Sequence, residues 1–158
     1  MPEINDRELI VTRMLAATPE QAFNFWTSPD HVSEWWGPDG YSTTTERMDL
    51  RPGGEWLFTM HGPDGERFEN RVQYLEVEPP FLLRYEHRDR NALEPVRFEA
   101  TITFAPVGAG TLLTMRMVLD SPEDLARVEE AHGASAGQWQ TLARFIDRLT
   151  VHLADYLH

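Results

Sequence analysis

The C-terminal segment constrains this chain more than any other stretch. Trp139, Leu142, Ile146, Leu149, Leu153 and Tyr156 recur at spacings of 3, 4, 3, 4 and 3, which makes one continuous apolar stripe on a helix over roughly residues 135–157. A helix that is apolar along one side must bury that side against something. The sequence before it supplies a partner, because its middle is strand after strand. Phe98, Ala100, Ile102 and Phe104 alternate with Arg97, Glu99, Thr101 and Thr103, the pattern of a strand with one face on a core and one in water. Trp56, Phe58 and Met60 share a face over residues 55–61, and Leu113, Met115, Met117 and Leu119 share one over 111–119. Phe68, Asn70, Val72 and Tyr74 do so over 67–77, and Leu83, Tyr85 and His87 over 81–87. Residues 8–15 and 42–50, both rich in β-formers, complete the set of strands.

Turn chemistry separates these runs. Arg51-Pro-Gly-Gly54, Gly62-Pro-Asp-Gly65 and Val107-Gly-Ala-Gly110 carry hairpin residues, and Glu78-Pro79-Pro80 breaks a strand. A polar loop is expected over 88–95. Thr18-Pro19 and Ser28-Pro29 are helix starts, a capping side chain followed by a proline whose missing N–H costs nothing in the first turn. They open two short helices, the second running through Trp35-Trp36 and closed by Gly37-Pro-Asp-Gly40. Ser121-Pro-Glu-Asp124 opens another, ending near His132-Gly133. The order is strand, two short helices, six strands, a short helix and the long one. It predicts an α+β fold, one antiparallel sheet with a long helix against it. Residues 1–7 read as a polar tail, and residues 8–158 as a single domain without repeat or linker.

Composition narrows the function classes. With 41% apolar and 11% aromatic residues in 158, the chain can bury a core. No apolar run approaches membrane-spanning length and no basic-apolar leader opens the sequence. There is no cysteine, hence no disulfide, thiolate nucleophile or cysteine metal site. Those features lead to the expectation of a cytoplasmic protein. All fourteen basic residues are arginine, so no lysine Schiff base can form. Against 26 acidic residues they leave a net charge of −12, which repels nucleic acid and anionic membranes and predicts neither as a partner.

Chemical motifs are few. Gly133-Ala-Ser-Ala-Gly137 matches the nucleophile elbow by letter, but that elbow needs a strand before it. Here a helix precedes it, and Ser135 is expected to cap the final helix. The six histidines show no ligand spacing, so no metal is expected. Glu123-Asp124 and Glu129-Glu130 read as solvated helix faces. No phosphate-cradling glycine loop or other cofactor motif is present, and no cofactor is expected.

The segments Ala17-Thr-Pro-Glu-Gln-Ala-Phe23, Trp26-Thr-Ser-Pro-Asp30, Trp35-Trp-Gly-Pro38, Arg51-Pro-Gly-Gly-Glu-Trp56 and Met60-His-Gly-Pro-Asp-Gly65 carry a resemblance. With Tyr74-Leu-Glu-Val77, Thr101-Ile-Thr-Phe104 and the terminal helix, the chain resembles the START-like (SRPBCC) helix-grip superfamily. Within it, the chain is similar to the Activator of Hsp90 ATPase homologue 1-like family, whose members are mostly uncharacterised bacterial proteins. The resemblance implies a curved sheet wrapped around the terminal helix, with a cavity between them for a hydrophobic or aromatic small molecule.

Strand parity and helix spacing place the candidate lining at Trp35, Trp56, Phe58, Met60, Asn70, Tyr74, Tyr85, His87, Phe98, Met115 and Trp139. Further inward aromatics are Trp26, Trp36, Phe68 and Phe145. Large aromatics and methionines together can adapt to a flat ligand, and equally can pack against one another. Asn70, His87 and the two tyrosines either orient a ligand's polar end or satisfy each other. His61 falls on the opposite face. The resemblance implies three alternatives: a ligand-binding module, a cyclase- or aromatase-like enzyme with His87 and Tyr85 or Tyr74 as acid and base, or a chaperone-associated interaction protein. The absence of nucleophile, metal and cofactor motifs favours the first. The sequence leaves a homodimer open.

Overall fold

Helix starts are set locally. At residue 18 a computed structural model, which describes residues 3–4, 6–90 and 97–156, shows a complete capping box. Thr18 Oγ1 accepts from the Gln21 N–H at 3.2 Å while Gln21 Oε1 accepts from the Thr18 N–H at 2.9 Å. This opens α1 (Pro19–Trp26), and α2 (Pro29–Trp35) follows at once. Ser28 occupies the cap position of α2 but makes no side-chain capping bond. Both helices interrupt the sheet after β2 (Glu8–Leu15).

The rest of the sheet is a meander of β3 (Ser42–Met48), β4 (Glu55–His61), β5 (Arg67–Glu78), β6 (Leu82–Asp89), β7 (Arg97–Val107) and β8 (Gly110–Leu119). All pairings are antiparallel, and β2 closes the order by docking on β8. A two-residue β1 (Glu3–Ile4) pairs with β2 at the edge, opposite Ile10 and Leu9. Part of the expected tail is therefore strand. The loop expected over 88–95 begins later, because β6 runs to Asp89; residues 91–95 lie outside the described set. Residues 122–132 form α3 and Ala134–Tyr156 form α4, the long C-terminal helix. This is the expected helix-grip α+β architecture. Among the described residues, no helix is long and apolar enough to cross a membrane.

Registers lay the inward side chains out in rows across the sheet. One row runs Trp56, Val72, His87, Phe98, Leu119 from β4 to β8, and the next runs Tyr74, Tyr85, Ala100, Met117, Leu9 from β5 to β2. The outward face is laced with ion pairs, Arg84 with Glu76 and Glu99, and Arg97 with Glu86 and Asp120. On α4 the fully buried apolar positions are Leu142, Phe145 and Leu149, while Trp139, Ile146 and Leu153 are partly buried. The buried face is thus turned from Ile146 toward Phe145. Phe145 packs on Trp35 (4.8 Å), Trp26 (5.1 Å) and Phe25 (5.8 Å), which gives α1, α2 and α4 one aromatic core.

Candidate functional site

A second aromatic group lies between that helical core and the sheet, and Trp36 joins the two. α2 ends at Trp35, and Trp36 leaves the helix in an extended conformation (φ −67°, ψ 129°). Its ring meets Trp56 at 4.8 Å and Phe58 at 5.7 Å, both edge-on, and stacks toward His87 at 6.3 Å. Trp56 and Phe58 stack on each other at 3.9 Å, and the Trp56 indole N–H donates to Thr45 Oγ1 at 3.1 Å. Phe98 closes the far side of His87 at 4.7 Å. Tyr74 and Tyr85 follow in the next row, edge to face at 6.5 Å.

The segment carrying Trp36 is clamped from α4. Arg144 donates to the carbonyls of Gly37 and Pro38, both at 2.9 Å, and to that of Glu34 at 3.2 Å, while Gln140 Oε1 accepts from the Asp39 N–H. Thr43 Oγ1 donates to the Trp36 carbonyl. Gly37 follows at φ +104°, a left-handed conformation that favours glycine, and a Cβ there would approach the Met60 methyl to 3.0 Å.

Polar chemistry in this group centres on two side chains. Asn70 Nδ2 donates to the Phe68 carbonyl at 2.9 Å, which turns Oδ1 toward His87 Nε2 at 3.0 Å. The His87 Nδ1, the Tyr85 hydroxyl and the Trp35 indole N–H are buried without a hydrogen-bond partner among the described residues. Burial lowers the His87 imidazole to about 4, and burial also pushes the phenols of Tyr74 and Tyr85 well above their usual range. All three groups are uncharged at neutral pH.

Of the eleven candidate lining residues, Trp56, Phe58, Asn70, His87 and Phe98 come together around Trp36, with Tyr74 and Tyr85 one row away. Met60 sits half-buried at the rim against Gly37. Trp35 belongs to the helical core, in contact with Trp26, Trp36 and Phe145. Met115 pairs between Ile102 and Val11, two rows from His87. Trp139 lies under the Arg13 guanidinium, 4.7 Å from ring centroid to carbon. Arg13 is in register with Leu113 on β8, three rows down the sheet from His87, about 20 Å along the strands.

Two expectations about the α3–α4 junction change. Ser135 does not cap α4; it lies inside the first turn, and both its N–H and its hydroxyl donate to the Glu129 carboxylate, at 2.9 and 2.6 Å. Glu129 therefore caps α4 from α3 and is no solvated surface charge. A groove of about 220 Å³ at the β3–β4 turn is lined by Arg47, Asp49, Arg51, Gly53, Gly54 and Glu55. Its charges are paired, Arg51 with Asp49 and Arg47 with Glu55, and none of its lining residues belongs to the aromatic group. Among the described residues no cluster of His, Asp and Glu could hold a metal.

The family model for Activator of Hsp90 ATPase homolog 1-like protein matches residues 16–153. The chain belongs to that family. Structures similar to it come from bacteria. A Nitrosomonas europaea protein has 26% identity and a TM-score of 0.81, over 96% of this chain and 99% of that one. An Arthrobacter aurescens protein superposes with a TM-score of 0.89 at 20% identity, over 95% and 91%. The AHSA1 protein of Silicibacter pomeroyi gives 0.73 at 21%, over 92% and 99%. At these identities the last two speak for the fold alone. No curated protein matches the chain significantly in sequence. The family match includes Trp36, Trp56, His87 and Arg144, hence both the aromatic group and its clamp.

Proposed function

We propose that this protein binds an apolar or aromatic small molecule on the inner face of its sheet, against the row Trp56, His87, Phe98 and beneath Trp36. One observation carries the reading. His87 Nδ1 and the Tyr85 hydroxyl are both buried, both unpartnered among the described residues, and both on the inner face of β6, two residues apart. Buried polar atoms are almost always paired in native proteins, because leaving one unpaired costs about 1–3 kcal/mol. Two such atoms inside an aromatic wall are what a site of few convergent polar groups on an apolar surface consists of.

The same groups suit binding better than acid–base catalysis. An imidazole lowered to about 4 by burial is a weak base at neutral pH, and phenols raised above their usual range are weak acids. Tryptophan fluorescence tests the reading directly, because Trp36 and Trp56 form the wall. Titration with neutral flat aromatics should quench the wild type saturably, and Trp56→Ala should weaken the response. Absence of any saturable quenching, or identical curves for both proteins, refutes the assignment.

A further inference from the structure

The hydrogen bonds around His87 fix more than its position. An amide nitrogen can only donate, so the 2.9 Å contact from Asn70 Nδ2 to the Phe68 carbonyl determines which way that amide faces. Its oxygen is then the atom 3.0 Å from His87 Nε2, and it can only accept. His87 Nε2 must therefore carry the proton. In the neutral ring the remaining nitrogen, Nδ1, is a bare lone pair, and it is the one that is buried and unpartnered. Burial holds the ring in this neutral form by lowering its pKa to about 4.

Charge in the surroundings points the same way. The two rows that hold His87 and Tyr85 consist of Trp56, Val72, Phe98, Leu119, Tyr74, Ala100, Met117 and Leu9 with them, and none is ionisable at neutral pH. The inward Arg13 is three rows away over the Trp139 ring, and Arg90 donates to Glu46 and to the Phe58 carbonyl. A carboxylate placed against His87 would find no counter-charge among the described side chains of these two rows.

Building on the binding function proposed above, we infer that the site selects uncharged ligands carrying a hydrogen-bond donor, a hydroxyl or N–H on a flat apolar body, which it gives to His87 Nδ1. The Tyr85 hydroxyl, two residues along the same face, serves a second polar atom of such a ligand as donor or acceptor. Fatty acids and other carboxylates are selected against, and so are ethers of the same shape.

Isothermal titration calorimetry of the full chain with 2-naphthol, 2-methoxynaphthalene and 2-naphthoate tests this, because the three share one ring system. The expected result is that 2-naphthol binds about tenfold tighter than the methyl ether, the ratio set by one buried hydrogen bond, and that 2-naphthoate binds weakest. In His87→Phe the preference for the naphthol over the ether should collapse. Equal binding of naphthol and ether, or tighter binding of the naphthoate, overturns the inference while leaving the binding function standing. If none of the three binds, the function proposed above falls and this inference with it. Long-range ¹H–¹⁵N spectra of the ligand-free wild type supply a second readout that needs no variant. They should show His87 protonated at Nε2 and bare at Nδ1, and the opposite tautomer also overturns the inference.

Discussion

His87 should make stability fall in mild acid, by an amount that follows from its burial. Its imidazole is held near 4 when folded against about 6.5 when unfolded, because burial encloses it among Trp36, Phe58 and Phe98 with no acidic partner among the described residues. Between those values the unfolded chain binds a proton that the native chain does not, so protonation pulls the equilibrium toward unfolding. The sign is therefore fixed: the contribution is fully present above pH 6.5 and is lost as pH falls toward 4. The whole shift corresponds to about 3 kcal/mol, and about 2 kcal/mol of it is lost between pH 7.5 and pH 5. Urea unfolding of the wild type and of His87→Gln at those two pH values isolates the effect. Glutamine can still donate to Asn70 but does not titrate, and every other group is common to both proteins. The wild type should lose about 2 kcal/mol more than the variant over that interval. Parallel losses would show that the native imidazole is protonated as easily as the unfolded one, and the enclosed, neutral His87 on which the site rests would be wrong.

Other positions give independent checks. Leu142 is fully buried on α4, so Leu142→Asp places an unpaired charge in the core and should abolish the cooperative thermal transition; an unchanged melting curve would contradict the placement of α4. Glu129→Gln keeps the shape of the cap on α4 but removes its charge, and should lower stability by about 1 kcal/mol in urea titration, whereas a solvated surface carboxylate would show no change. The net charge of −12 predicts no gel shift with duplex or single-stranded DNA at low salt; micromolar binding that weakens with salt would argue against it.

Much of this architecture can be read from short-range chemistry. The Thr18-Pro19 box, the alternation over residues 97–104 and the Gly62-to-Gly65 turn each specify their own local structure, and together they leave few ways to arrange the chain. What escapes such reading is set by contacts between distant segments. Glu3 and Ile4 become strand only because β2 offers them an edge. Arg144 sits beside the apolar stripe of α4 and looks solvent-facing, until the carbonyls of Glu34, Gly37 and Pro38 are brought to it. Glu129 looks like one of a pair of surface acids until Ser135 turns back toward it.

For the site, parity was sufficient to place Trp56, Phe58, Asn70, Tyr85 and His87 on inward rows, because alternation on a strand is strict. Helix spacing sets Trp139 on the apolar stripe of α4 but does not say which row of the sheet it meets, and its ring lies against Arg13, not the group around Trp36. Nor does spacing show that Trp36, next to a helical tryptophan, leaves the helix and becomes the link between the two aromatic groups. The adjoining Gly37-Pro38 was the available signal. A glycine and a proline directly after paired tryptophans end the helix there and force the second ring out of its periodicity.

The central claim is that a neutral ligand lies against the inner face of β4 and β6, at Trp56 and His87. Intermolecular nuclear Overhauser effects from bound 2-naphthol test it most directly, because they report position independently of affinity. Contacts from the naphthol ring protons to Trp36, Trp56, Phe98 and the His87 ring, with a shift of the His87 Nδ1 resonance, are the predicted result. Contacts confined to Trp139 and Arg13, to the β3–β4 turn or to the outer face of the sheet would contradict it.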